Sequence, residues 1–366
     1  MSSGGSGGLK PRSPGTGVPP TLEQVAALAG VSRATVSRVV NGSPKVSPAV
    51  RAQVERAVAK LGYMPNRAAR SLVTRRADSV ALVVSEPHAR FFSEPFFAGM
   101  VRGVSAALAG TGVQLVLLIA QDLPDRGRLE RYVAGGHVDG VLLASLHGDD
   151  PLPGTLERAG VPAVLVGRPA GVVPRSIGGV RGTAGVVPRR VGGTAPASWV
   201  DADNRGGAAK AVGHLVRQGR RRIATITGPL DMGVGLDRLE GYRDGLAAAG
   251  LAGASDLVET GDFTEEGGAA AMARLLERPG SPVDAVFAAS DMMAAGALRA
   301  LRTAGRRVPE DVAVVGFEDS AVARYAQPPL TTVRQPIEEM GRQATACCWP
   351  GSPASPVACT SSWTPS

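Results

Sequence analysis

Apolar residues in the first sixty-odd positions recur at helical spacing. Thr21 and Gln24 read as a capping box opening a helix whose apolar face is Leu22, Val25, Ala26 and Leu28. Gly30 permits a tight turn. Ser32 then caps a second helix with Val36, Val39 and Val40 turned inward. A third helix follows Ser47 and Pro48, burying Val50, Val54, Ala57, Val58 and Leu61 and stopping at Gly62. Residues 21–64 therefore predict a small all-α helix-turn-helix headpiece. From Ser79 onward the pattern changes to short β-rich apolar runs at 80–84, 113–120, 138–144 and 163–166, then 223–227, 285–289 and 312–317, separated by helical stretches. This βαβ alternation predicts an α/β body of two doubly wound parallel-sheet lobes over residues 77–343.

Charge adds a function class to this outline. The chain has 366 residues and a formal net charge of +8, yet only Glu23 and Glu55 are acidic before residue 77, against a run of arginines and lysines. A cationic head on a nearly neutral body is the footprint of a polyanion binder, because each phosphate neutralised releases condensed counterions. With the second helix in a major groove, Arg33, Ala34 and Arg38 face base edges, where arginine makes paired bonds to guanine. Thr21, Ser32, Thr35, Ser37, Asn41 and Lys45 fall where hydroxyl, amide and ammonium groups meet phosphates.

The string T-L-x-x-V-A-x-x-A-G-V-S-x-x-T-V-S-R-V-x-N from Thr21 to Asn41, with L-G-Y-x-P-N-R-A-A-R-S-L from Leu61 to Leu72, resembles the LacI/GalR family of bacterial transcriptional repressors. The resemblance implies a homodimer on a near-palindromic double-stranded DNA operator, with residues 65–76 as a hinge. It makes Asn66, Arg67 and Ala69 hinge contacts and Leu72 a wedge between base steps of the minor groove, where unstacking is offset by contacts to a bent duplex. For the body it implies a periplasmic-binding-protein-like sensor of a small sugar effector, with ligand positions at Arg238, Phe263, Ser290 and Glu318. Many members carry Asn at the position of Ser290 and Asp at that of Glu318. The aromatic-rich stretch at 91–97 resembles the cleft rim of actinobacterial cello-oligosaccharide-responsive repressors, which implies sugar contact by Glu94 and Phe96; packing on the following helix is the alternative. Arg168, directly after an apolar strand, reads as a sugar contact or as a surface ion pair.

Other chemistry has little footing. His88, His137, His147 and His214 are scattered singly, and Cys347, Cys348 and Cys359 cluster near the end, so no metal spacing arises. No nucleophile elbow, phosphate loop or dinucleotide fingerprint is present. The expectation is a regulator without catalytic activity, cofactor or metal. The leader, residues 1–20, is rich in Gly, Ser and Pro and lacks the apolar core of a secretion signal, so it reads as disordered and the chain as cytoplasmic. Two stretches break the rhythm. Within 171–198 the string Gly171-Val-Val-Pro-Arg175 recurs as Gly185-Val-Val-Pro-Arg189, which predicts a disordered insertion. Residues 344–366 turn to Cys, Trp, Ser and Pro where an apolar helix and a strand are expected, and a reading-frame shift near residue 344 accounts for the change; such a tail deprives the sensor of a helix, a strand and dimer surface. The rival readings are a sugar-binding module without regulatory activity and a non-functional truncated regulator.

Overall fold

The computed structural model describes residues 19–64, 76–169, 198–251, 257–279, 282–349 and 362–363. Asn66, Arg67, Ala69 and Leu72 lie outside the described residues, as does the segment 170–197. The chain divides into two compact units, Met1–Arg75 and Arg76–Ser366.

In the first unit, α1 (Leu22–Ala29), α2 (Arg33–Val40) and α3 (Pro48–Leu61) pack around Val25, Val36 and Val54, all fully buried. Thr21 forms the expected capping box with Gln24, and Ser32 caps α2 by accepting from the Thr35 N–H. Gly30 takes the left-handed conformation at φ 60°, open to glycine without penalty, and so turns α1 into α2. Gln53 of α3 donates to the Ala29 carbonyl at 2.8 Å, tying the end of α1 down. One expectation fails: Leu28 is 44% exposed, and Ala29 takes the inward place. The buried stripe at 22, 25, 26 and 29 follows the helical period, and Leu28 lies off it.

The second unit contains β1 (Ser79–Val84), β2 (Gln114–Ile119), β3 (Gly140–Ala144), β4 (Ala163–Val166), β5 (Ser198–Ala202), β6 (Ile223–Thr227), β7 (Val258–Thr260), β8 (Ala285–Ala288), β9 (Ala313–Glu318), β10 (Thr331–Arg334) and β11 (Ser362–Trp363). They form two parallel sheets, ordered β11-β5-β4-β3-β1-β2 and β10-β9-β8-β6-β7. The central strands are buried along their whole length, since helices cover both faces. In β1, Val80, Leu82 and Val84 pack with Phe97 and Met100 on one face, while Ala81 and Val83 pack with Leu129 and Trp199 on the other. The strands β5, β7, β10 and β11 were not among the expected apolar runs. Ser198, assigned to the insertion, begins β5.

The chain passes from the first lobe to the second between β5 and the helix Asn204–Arg217, and back between β10 and the helix Ile337–Cys348. That last helix corrects the reading of the tail. It runs on through Ala344 to Cys348, and Ala344, Cys348 and Trp349 are buried in the first-lobe core. Cysteine packs there as a small apolar residue, so a change in composition at 344 does not end the helix. A closing strand is present too, since β11 extends the sheet beside β5.

Candidate functional site

The face expected to read DNA begins at the N-terminus of α2. Arg33, Ala34 and Arg38 are exposed, as are Thr21, Ser32, Asn41 and Lys45, while Thr35 and Ser37 are half-buried. Arg33 Nε lies 3.0 Å from a Glu23 carboxylate oxygen. Several hydroxyls already have local partners: Ser32 and Thr35 lie 2.9 Å apart, and the Asn41 amide donates to Ser37 at 3.3 Å. A hydroxyl so engaged keeps further hydrogen-bonding capacity for a phosphate.

The other site lies at the carboxyl ends of the strands, the place where parallel α/β lobes take ligands. Arg238, on the helix Gly233–Ala248, is 2% exposed. It donates to Asn204 Oδ1 at 3.0 Å, to Gln335 Oε1 at 3.2 Å and to the Ala289 carbonyl, and Glu318 Oε1 lies 4.0 Å from its guanidinium. Its guanidinium carbon also sits 3.8 Å from the Phe317 ring centroid. Glu94 is buried and accepts from Arg90 Nε at 3.0 Å. Arg90 also donates to Glu86 at 2.6 Å and covers the Phe263 ring at 5.2 Å. An arginine of the opposite lobe therefore lies over the Phe263 ring.

The remaining expected residues divide between contact and support. The Ser290 hydroxyl accepts from the Met293 N–H at 3.2 Å and so caps the helix Asp291–Thr303. Phe96 is half-buried against the first-lobe core and meets Phe97 edge-on at 5.4 Å between centroids. Arg168 forms an ion pair with Asp237 across the cleft, its Nε 3.2 Å from Oδ2, rather than an isolated surface pair. Its backbone N–H donates to Asp201 at 2.9 Å.

A second link between the lobes is His147. Its Nε2 lies 3.0 Å from Glu86 and its Nδ1 2.9 Å from Asp231 of the other lobe. Glu86 Oε1 already accepts from Arg90 and from Ser145 at 2.6 Å, so the imidazole faces an acceptor on each side. Two acceptors require two ring donors, which is the imidazolium form. The hydrogen bond to Glu86 is the main cause that raises the His147 pKa, supported by Asp231 and opposed by partial burial. The expected residues left out Arg90, His147, Asp231 and Asp237. The Glu86, Arg90, Glu94 spacing, four residues at each step, was the available signal for Arg90.

Burial dominates the electrostatics of this cleft. It pushes the Glu318 carboxyl well above the usual range, raises Glu94 and Asp291, brings Asp201 up to about 6, and lowers Arg238. Strain collects here as well: Ser145, Phe263, Glu318 and Asp319 have φ of 59°, 67°, 118° and 57°. Such conformations cost about 1–3 kcal/mol each and persist where their surroundings impose them. Phe263 reaches its place because Gly228 has no side chain; a Cβ there would overlap the ring. Finally, Ser85 Oγ, Thr227 Oγ1 and Glu318 Oε2 are buried without a hydrogen-bond partner among the described residues.

Comparison with known proteins places both units. A family model described as bacterial regulatory proteins, lacI family, matches residues 21–66, and one described as a periplasmic binding protein-like domain matches residues 212–349. The HTH-type transcriptional regulator CelR of Thermobifida fusca is 56% identical over 324 residues, spanning 88% of this chain and 89% of that protein. A solved transcriptional regulator CelR–cellobiose complex is 53% identical with a TM-score of 0.66, covering 90% of this chain and 92% of that one. The lac repressor dimer bound to operator and the anti-inducer ONPF is 25% identical with a TM-score of 0.75, covering 95% and 97%. No helix among the described residues is long and apolar enough to cross a membrane. The chain belongs to the LacI family of bacterial regulatory proteins.

Proposed function

We propose that this chain is a transcriptional regulator, acting as a repressor, whose operator binding is modulated by a neutral gluco-oligosaccharide held between the two lobes. The observation that carries the effector reading is the set of orphaned polar atoms at strand ends, Ser85 Oγ, Thr227 Oγ1 and Glu318 Oε2. Each buried group without a partner costs about 1–3 kcal/mol, which a ligand rich in hydroxyls recovers by supplying donors and acceptors. Cellobiose in the CelR complex belongs to this chemical class. Glu318, Glu94 and Arg238 accept from and donate to the sugar, Arg168 and Phe263 close over it, and Ser290 and Phe96 support the walls. Arg33, Ala34 and Arg38 read bases, with the hydroxyls and Lys45 on phosphates. These groups bind; none is assigned a catalytic step. The working form is a cytoplasmic homodimer, whose two headpieces read a near-palindromic site.

Coupling between the sites is a shift in population, limited by the difference in sugar affinity between the two arrangements of the lobes. The test is a gel-shift titration of operator DNA with and without cellobiose and longer cello-oligosaccharides. A sugar-dependent change in the midpoint is expected. Unchanged midpoints with every sugar overturn the effector assignment, whereas sugar binding without salt-dependent DNA binding leaves a sugar module alone.

A further inference from the structure

The ion pair between Glu23 and Arg33 joins the first turn of one headpiece helix to the first residue of the next. Arg33 Nε lies 3.0 Å from Glu23 Oε1, with the two side chains 69% and 60% exposed. Exposed pairs contribute little to stability, so this one has no evident structural purpose. Glu23 stands in the first turn of α1, where acids suit the helix dipole. Its carboxyl lies below the usual carboxylate range, favoured by the backbone at the helix start and by the Thr21 hydroxyl ahead of the pull of Arg33. The carboxylate thus stands on the first turn of one helix, 3.0 Å from the side chain of the first residue of the next.

The guanidinium presents two edges with paired donors, one containing Nε and one made of the two terminal nitrogens. A carboxylate on Nε leaves the terminal edge open. That edge has the spacing that guanine O6 and N7 accept. We propose that Glu23 is a specificity-determining positioning residue, holding Arg33 so that its terminal edge meets a guanine in the operator. The inference rests on Arg33 being a base contact, as assigned above. It runs against the simple effect of charge, because an anion beside DNA repels phosphate and its removal strengthens binding to every duplex.

The two effects separate in one experiment on the full-length protein. Wild type, Glu23→Gln, Glu23→Asp and Arg33→Ala are each selected on a randomised duplex library. Each is then titrated at several salt concentrations against the wild-type selected site and an unrelated duplex. Positioning predicts that Glu23→Gln keeps or gains affinity for the unrelated duplex while its preference for the selected site falls roughly three- to tenfold, part of what one bidentate pair provides. The lost base preference falls at the position that Arg33→Ala also flattens. Glu23→Asp keeps the charge but shortens the reach, and it loses preference at the same position. Equal gains on both duplexes for Glu23→Gln, or full preference in Glu23→Asp, overturn the proposal. If Arg33→Ala leaves every base preference intact, the proposal falls through the base-contact reading instead, and an effect of Arg38→Ala then shows that the remaining headpiece reading stands.

Discussion

Arg38 of the headpiece stands exposed in solvent, whereas Arg238 of the cleft is buried among Asn204, Ala289, Gln335 and Glu318. The headpiece keeps its polar groups available to a rigid, external polyanion, and a small apolar core beneath them holds the geometry. The cleft binds its charged groups to one another, so a ligand there must rearrange existing bonds. Function and stability are therefore separable in the headpiece and entangled in the cleft. A substitution should reveal which regime a residue belongs to.

The largest effect is expected for Arg238→Ala. Removing one partner from a buried charge cluster costs about 3–5 kcal/mol, so chemical denaturation of the second unit should shift strongly and the sugar response should vanish. A loss below about 1 kcal/mol would break the comparison. Arg38→Ala should lower operator affinity by about 1–3 kcal/mol in gel-shift titrations while unfolding changes by less than about 0.5 kcal/mol. Gly228→Ala forces Phe263 aside at a cost of about 1–3 kcal/mol. Calorimetry should find weaker sugar binding, with sugar-free operator affinity unchanged.

The smallest effect is a pH dependence. His147 faces Glu86 from its own lobe and Asp231 from the other, with Arg90 and Ser145 also donating to Glu86. Because its pKa is raised, the link between lobes is complete below the ordinary value of 6.5 and is lost as pH rises through the raised value. Sugar affinity should fall a few-fold as pH rises from 6.5 through the raised value, and His147→Gln should flatten that slope. A wild-type affinity constant over that window would assign the ring a packing role only.

The headpiece was readable residue by residue because its determinants are local. Thr21, Ser32 and Gly30 act within one turn of themselves, and the valines at 25, 36 and 54 announce a shared core. Leu28 is the exception, an apolar side chain without a buried place. The central strands were readable as continuous apolar runs, because helices on both faces leave them no polar side. By contrast, β7 is three residues long at a sheet edge, and β10 is half-exposed, so neither carries a strong pattern. The cleft was readable in part: Glu318, Arg238 and Glu94 are there, but the partners that decide their chemistry are far away in sequence. His147 and Asp231 stand 84 residues apart, and only the fold joins them. At the tail, composition misled, since Cys348 and Trp349 are buried in the first-lobe core as apolar residues.

Asn204 follows one of the two described passages of chain between the lobes, and Gln335 lies within the other. Both are bonded to the same guanidinium, that of Arg238. One planar cation thus rivets the two threads together where the chain crosses between the lobes. A twist imposed on either thread would be delivered to the other through a rigid plate rather than through slack peptide.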